Sequence, residues 1–93
     1  MGLTFEWDPA KAASNERKHG VTFAEATTVF GDDDAMTCFD PDHSVDESRH
    51  ITIGRSHGGR LLVIAHTERA NRVRVISART ATEREVNQYE EEG

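Results

Sequence analysis

"RHITIGRSHGGRLLVIAHTERANRVRVISART", residues Arg49 to Thr80, decides the fold. It holds three β-rich segments in series. Two are Arg49–Ser56 and Arg60–Arg69, and the third centres on Val73, Val75 and Ile76. His57–Gly59 and Ala70–Arg72 are short enough to be hairpin turns, so the three strands are predicted to run antiparallel. "LLVIA" (Leu61–Ala65) is apolar at successive positions, which marks a central strand covered on both faces. Strict alternation puts Leu62, Ile64, His66 and Glu68 on one face and Leu61, Val63, Ala65 and Thr67 on the other. The same rule groups Val73, Val75, Ser77 and Arg79 on one face of the next strand, and Arg72, Arg74, Ile76 and Ala78 on the other.

Moving outward, Ala35–Asp40 reads as a fourth strand of the same meander, and Asp40–Ser48 as a polar loop. Upstream, Leu3–Asp8 alternates like a short strand, and Asp8-Pro9 opens a helix. Arg17, Lys18 and His19 suit the negative end of that helix, and Gly20 suits a left-handed cap. Thr22 with Glu25 then forms a capping box, and Phe23, Ala26, Thr27 and Phe30 make one apolar stripe that ends at Gly31. Downstream, Thr80 with Glu83 or Thr82 with Glu85 caps a third helix, docked by Val86 and Tyr89. The order is strand, two helices, four-stranded meander, helix. That predicts one α+β domain over residues 1–93, with its helices on one face of an antiparallel four- to five-stranded sheet.

Size and charge narrow the function. A chain of 93 residues buries a modest core. Cys38 is the single cysteine, so no internal disulfide forms, which fits a reducing cytoplasm. No apolar run is long enough to span a membrane, and no signal peptide is evident. The net charge of −6 hides a division. Residues 1–48 carry −8 and residues 85–93 carry −4, whereas residues 49–84 hold eight arginines against two acids. Guanidinium forks match phosphate, or they pair with the acidic half of the chain, and composition leaves both readings open.

The chemistry-bearing residues cluster at strand ends. His66, Glu68, Arg69 and Arg79 supply an imidazole, a carboxylate and two guanidiniums. That set suits metal-independent RNA cleavage, in which the 2′-hydroxyl loses a proton and the phosphorane needs positive charge. Each also has a plain structural reading, as a strand-end histidine or as an arginine paired with a carboxylate such as Glu85. Trp7 and Tyr89 fit core packing or stacking on a base. No cofactor fingerprint is present, and the Asp40–His50 segment lacks the spacing of a zinc or calcium site.

Two motifs resemble a known family. "FEWDPAKAASNERKHGVTFAEATTVFGD" (Phe5–Asp32) and "LLVIAHTER" (Leu61–Arg69) followed by "RVISARTATEREVNQYEE" (Arg74–Glu91) are similar to the BrnT toxins of type II toxin–antitoxin modules. "RHITIG" (Arg49–Gly54) adds to the match, which covers nearly the whole chain. The resemblance implies a RelE-like fold and an endoribonuclease that cuts RNA without a metal or cofactor and blocks translation. It also implies a BrnA-like antitoxin that neutralises the toxin in a hetero-oligomer and supplies the contact to DNA. His66, Glu68, Arg69 and Arg79 are then the expected catalytic positions. Trp7, Lys18, His19, Arg49 and Tyr89 are the expected contacts to RNA or antitoxin. The rival reading is a binding module without catalysis that acts only as co-repressor within the complex.

Overall fold

The computed structural model describes residues 3–43 and 48–92. Residues 44–47 of the predicted polar loop lie outside that range, and Pro41–His43 before them form one 3₁₀ turn. Five strands make one sheet: β1 (Thr4–Glu6), β2 (Met36–Phe39), β3 (Arg49–Arg55), β4 (Leu61–Arg69) and β5 (Arg72–Thr80). Their spatial order is β1-β5-β4-β3-β2, and the last four form the expected antiparallel meander.

β1 departs from the expectation. It lies beside β5 and runs parallel to it, pairing Thr4 with Arg72 and Glu6 with Arg74. Two helices separate β1 from the meander, so no hairpin fixes its direction, and the sheet is mixed rather than wholly antiparallel.

α1 (Pro9–His19) and α2 (Phe23–Thr28, extended by a 3₁₀ turn to Gly31) begin and end on the predicted signals. Asp8 accepts the Ala10 N–H at 2.9 Å, and Gly20 adopts φ 68° as the left-handed cap. Thr22 accepts the Glu25 N–H at 3.0 Å. Together α1 and α2 cover one face of the sheet. Val21, Phe23, Ala26 and Val29 pack there against Leu62, Ile64, Val75 and Ala78. Val29 belongs to this stripe although the four-residue pattern omitted it, and Thr27 and Phe30 are only half-buried. At Gly54 a Cβ would stand 2.7 Å from a Val29 methyl, so the missing side chain lets the turn after α2 sit on β3.

α3 (Glu83–Glu92) covers the opposite face, not the face of α1 and α2. Tyr89 and Val86 meet Ile53, Leu61 and Val63. The doubly apolar run in β4 demanded a second cover, and α3 is the element that supplies it. Thr82 and Glu85 form its capping box, at 3.3 and 2.8 Å.

Candidate functional site

The side chains sort differently from strict alternation because β5 carries a bulge. Val75 pairs with His66 and Ser77 pairs with Ala65, so Ile76 is an extra residue with no counterpart on β4. The phase of β5 shifts there by one residue. Val73, Val75 and Ala78 therefore all point towards α1 and α2, while Arg72, Arg74, Ser77 and Arg79 all point the other way. Arg49 and Arg55 of β3 and Arg69 of β4 join that second face by register. Six of the eight arginines in residues 49–84 thus stand on the α3 side of the sheet.

One row crosses four strands, in the order Arg49, Thr67, Arg74, Glu6. The Thr67 hydroxyl is buried between the two arginine positions and has no hydrogen-bond partner among the described residues. Glu6 lies within 3.3 Å of the Arg72 guanidinium and 3.4 Å of the Arg74 guanidinium. Closer to α3, Arg79 makes a two-pronged contact with Glu85, at 2.8 and 2.9 Å. That guanidinium, with the Thr82 N–H and hydroxyl, holds the Glu85 carboxyl down at about 2. The helix itself is anchored by Tyr89, whose hydroxyl donates to Asp32 at 2.6 Å. Burial pulls the Asp32 carboxyl upward, but the bonds from the Arg55 N–H, Tyr89 and the Asp34 N–H outweigh it and hold it below its usual range. Tyr89 is raised in turn, chiefly by its bond to Asp32. The Arg55 guanidinium rests 5.7 Å from the centre of the Tyr89 ring.

The four residues expected to act together are split between the two faces. Arg69 and Arg79 stand on the α3 side, whereas His66 and Glu68 point to the side of α1 and α2. Arg79 pairs with Val63, three residues along β4 from His66, which is about 10 Å of strand. His66 is 2 % exposed. Its Nε2 is 2.7 Å from the Thr52 hydroxyl, which is 2.7 Å from the Thr37 hydroxyl. Phe30 meets the imidazole edge-on at 5.0 Å, and His50 stacks on it at 6.0 Å. Burial, reinforced by His50 and opposed by Glu68, depresses its pKa to about 4. His66 is thus a neutral core imidazole. Glu68 is exposed near the β4–β5 turn and lines a cleft of about 260 Å³ with Leu3, Asn71, Arg72 and Val73.

The expected contact residues are also dispersed. Trp7 packs edge-on against Phe23, with ring centres 6.0 Å apart, and Tyr89 is buried between α3 and the sheet. Lys18 and His19 are exposed at the end of α1. Arg49 alone of these five lies in the arginine row. Arg74, Thr67 and Glu6 were missed. The bulge hid Arg74, and the parallel pairing of β1 hid Glu6. Asn15 was missed as well. Its side-chain amide donates to Val21 O at 3.0 Å and to Ala78 O at 2.8 Å, and it accepts from the Ala78 N–H at 3.1 Å. It completes the edge of β5 where β1 no longer reaches. Arg60 is structural: it holds Glu25 at 3.0 Å through its Nε and Gly20 O at 3.1 Å. Among the described residues no three His, Cys, Asp or Glu side chains are grouped to hold one metal ion, and no helix is long and apolar enough to cross a membrane.

A sequence profile described as "Ribonuclease toxin, BrnT, of type II toxin-antitoxin system" matches residues 7–85. The chain belongs to this family. Among solved structures, it is similar to the 1.1 Å crystal structure of the Brucella abortus ribonuclease toxin BrnT. The TM-score is 0.64 at 22% identity, over 88% of this chain and 100% of that one. No curated protein sequence matches the chain. Membership in a type II toxin–antitoxin family brings an antitoxin as partner. The arginine face holds six guanidinium groups, whose planar forks match phosphate.

Proposed function

We propose that the arginine face binds and cuts a single RNA strand, making the chain a metal-independent endoribonuclease toxin that arrests translation on a RelE-like fold. The observation that carries this reading is that Arg49, Arg69, Arg72, Arg74 and Arg79 share one face, the bulge at Ile76 bringing Arg79 to the side of the others. Cleavage forms a bond from the 2′-oxygen to phosphorus and breaks the bond to the 5′-oxygen. The phosphorane between them is more negative than the substrate, so fixed cations favour it selectively. Arg74 and Arg49 flank the Thr67 hydroxyl and would hold the scissile phosphate. Arg79 would join once phosphate replaces the Glu85 carboxylate in its two-pronged contact, since both anions fit the same fork. Glu6, beside two guanidiniums, is the carboxylate placed to take the 2′-hydroxyl proton, and water protonates the leaving oxygen. His66 has no part in this, because its imidazole is buried on the other face. Arg69 would steer the strand from the β4–β5 turn.

A BrnA-like antitoxin is the expected inhibitor. Carboxylates laid on the arginine face would silence it and would give the complex its path to DNA through the antitoxin. This chemistry belongs in the cytoplasm. A second reading, a co-repressor without catalysis, is favoured by one observation: Arg72, Arg74 and Arg79 already meet carboxylates of the same chain.

The deciding experiment incubates antitoxin-free protein with 5′-labelled single-stranded RNA in excess EDTA, with Arg79→Ala alongside. Cleavage to a cyclic phosphate, reduced about 10²–10³-fold in the variant, is the expected outcome. Intact RNA with the parent protein, both alone and in a translating extract, overturns the catalytic reading.

A further inference from the structure

We infer that the edge of β5 facing α1 is a second phosphate site, which leads the RNA strand off the arginine face. This rests on the RNA reading above and adds a surface to it. β1 pairs with β5 only as far as Arg74, and Asn15 brackets β5 at Ala78. Between them lies a groove of about 190 Å³ lined by Lys11, Ser14, Lys18, His19, Ile76 and Ser77, with Asn15 at its floor.

Helix geometry makes the groove basic. Lys11, Asn15 and Lys18 follow i, i+4, i+7 and share one stripe of α1. Because Asn15 is fixed to the β5 backbone, both lysines are carried to that edge. Glu16 lies about 140° round the helix from Lys11 and does not neutralise them. Lys11 and Lys18 have no carboxylate partner among the described residues, in contrast to Arg60, Arg72, Arg74 and Arg79. The groove also joins the proposed site directly. Ser77 lines it and is paired with Ala65 on the arginine face, so a strand leaving that face at Ser77 enters the groove at once. Two lysines about 10 Å apart along the helix axis are point charges without planar demands. They suit the phosphates of an extended single strand and ignore its sequence.

The test is a salt titration. Fluorescence anisotropy follows binding of a 5′-labelled 2′-O-methyl single strand, which cannot be cut, to the full chain and to its Lys11→Gln/Lys18→Gln variant. Both lysines are exposed, and circular dichroism verifies that the variant is folded. The expected result is about tenfold weaker binding at moderate salt, and a log–log salt slope shallower by roughly 1.4, at about 0.7 per lost phosphate contact. A variant that binds with the parent's affinity and slope overturns the groove while leaving the arginine face intact. The same holds if only capture of the antitoxin weakens, which would make this a protein-binding surface. A parent chain that binds no strand at any salt overturns the RNA reading itself.

Discussion

The two faces of this sheet are built from the same three strands and have opposite characters. Towards α1 and α2 the strands present Leu62, Ile64, Val75 and Ala78, with His66 among them as a neutral, hydrogen-bonded imidazole. Towards α3 they present six arginines around a small apolar patch of Ile53, Leu61 and Val63. The residue that keeps these characters apart is Ile76. Without the phase shift it makes, one end of β5 would turn arginine into the core and valine or alanine out of it. The bulge is thus the device that lets one strand bury three apolar residues and still display four polar ones.

Two deletions separate that account from a merely local irregularity. Removing Ile76 alone leaves regular alternation, with Val75 in, Ser77 out, Ala78 in and Arg79 out. Such a chain is expected to fold, at a cost of about 1–2 kcal/mol for the lost contacts of a half-buried side chain. Removing Ile76 and Ser77 together forces Arg79 inward or Val75 outward. That variant is expected to lose its fold altogether, since an unpaired buried charge costs about 3–5 kcal/mol in a small domain. Circular dichroism and urea unfolding of the pair provide the check. A double deletion as stable as the single one would show that the faces are not set by phase.

The comparison also shows how much was legible in the letters. Elements with local signals were read closely: Asp8-Pro9, Gly20, Thr22 with Glu25 and Thr82 with Glu85 all cap where expected. The meander followed from its short turns, although Ala70 and Asn71 turn at φ 46° and 71° without a glycine. Non-local features were not legible. The direction of β1, the side on which α3 docks and the bulge at Ile76 depend on partners far away in sequence. The candidate site inherited those errors, since one shift of phase moved Arg74 into it and separated His66 from Arg79. Arg79 and Arg49 were expected from their guanidinium groups alone, and the register places both on the arginine face. Glu6 and Asn15 gave no local sign, since each acts through β5, some sixty residues away.

The faces should also fail at different pH. On the helix side His66 is depressed to about 4 against an ordinary 6.5. Its neutral form stabilises the fold fully above pH 6.5. As pH falls from 6.5 to 4 the unfolded chain takes up the proton first, and stability is lost at about 1.4 kcal/mol per unit, up to about 3 kcal/mol in all. In His66→Gln the curve should be flatter across that window, although the starting stability is lower. Urea midpoints between pH 4 and 7 measure both chains. An equally steep decline in the variant would place the acid-sensitive group elsewhere.

On the arginine side the clamps respond at the two extremes. Glu85, held at about 2 by Arg79 against an ordinary 4.5, stabilises α3 above pH 4.5 and releases it as pH falls towards 2. Tyr89 works in the opposite sense, because its bond to Asp32 raises its pKa. The protonated hydroxyl stabilises the fold below pH 10, and that contribution is lost as pH rises through the elevated value. Tyr89→Phe keeps the ring against Ile53, Leu61 and Val63 and removes only the donor to Asp32. Its expected cost is about 1–2 kcal/mol at neutral pH, because Asp32 retains the Arg55 and Asp34 N–H groups. Above pH 10 the difference between parent and variant should shrink. Hydrogen exchange assigns the loss to a place: amides of α3 should exchange faster in the variant while those of β4 and α1 keep their protection. Equal acceleration on both faces would mean that α3 is part of one cooperative core and not a separately held cover on the arginine side.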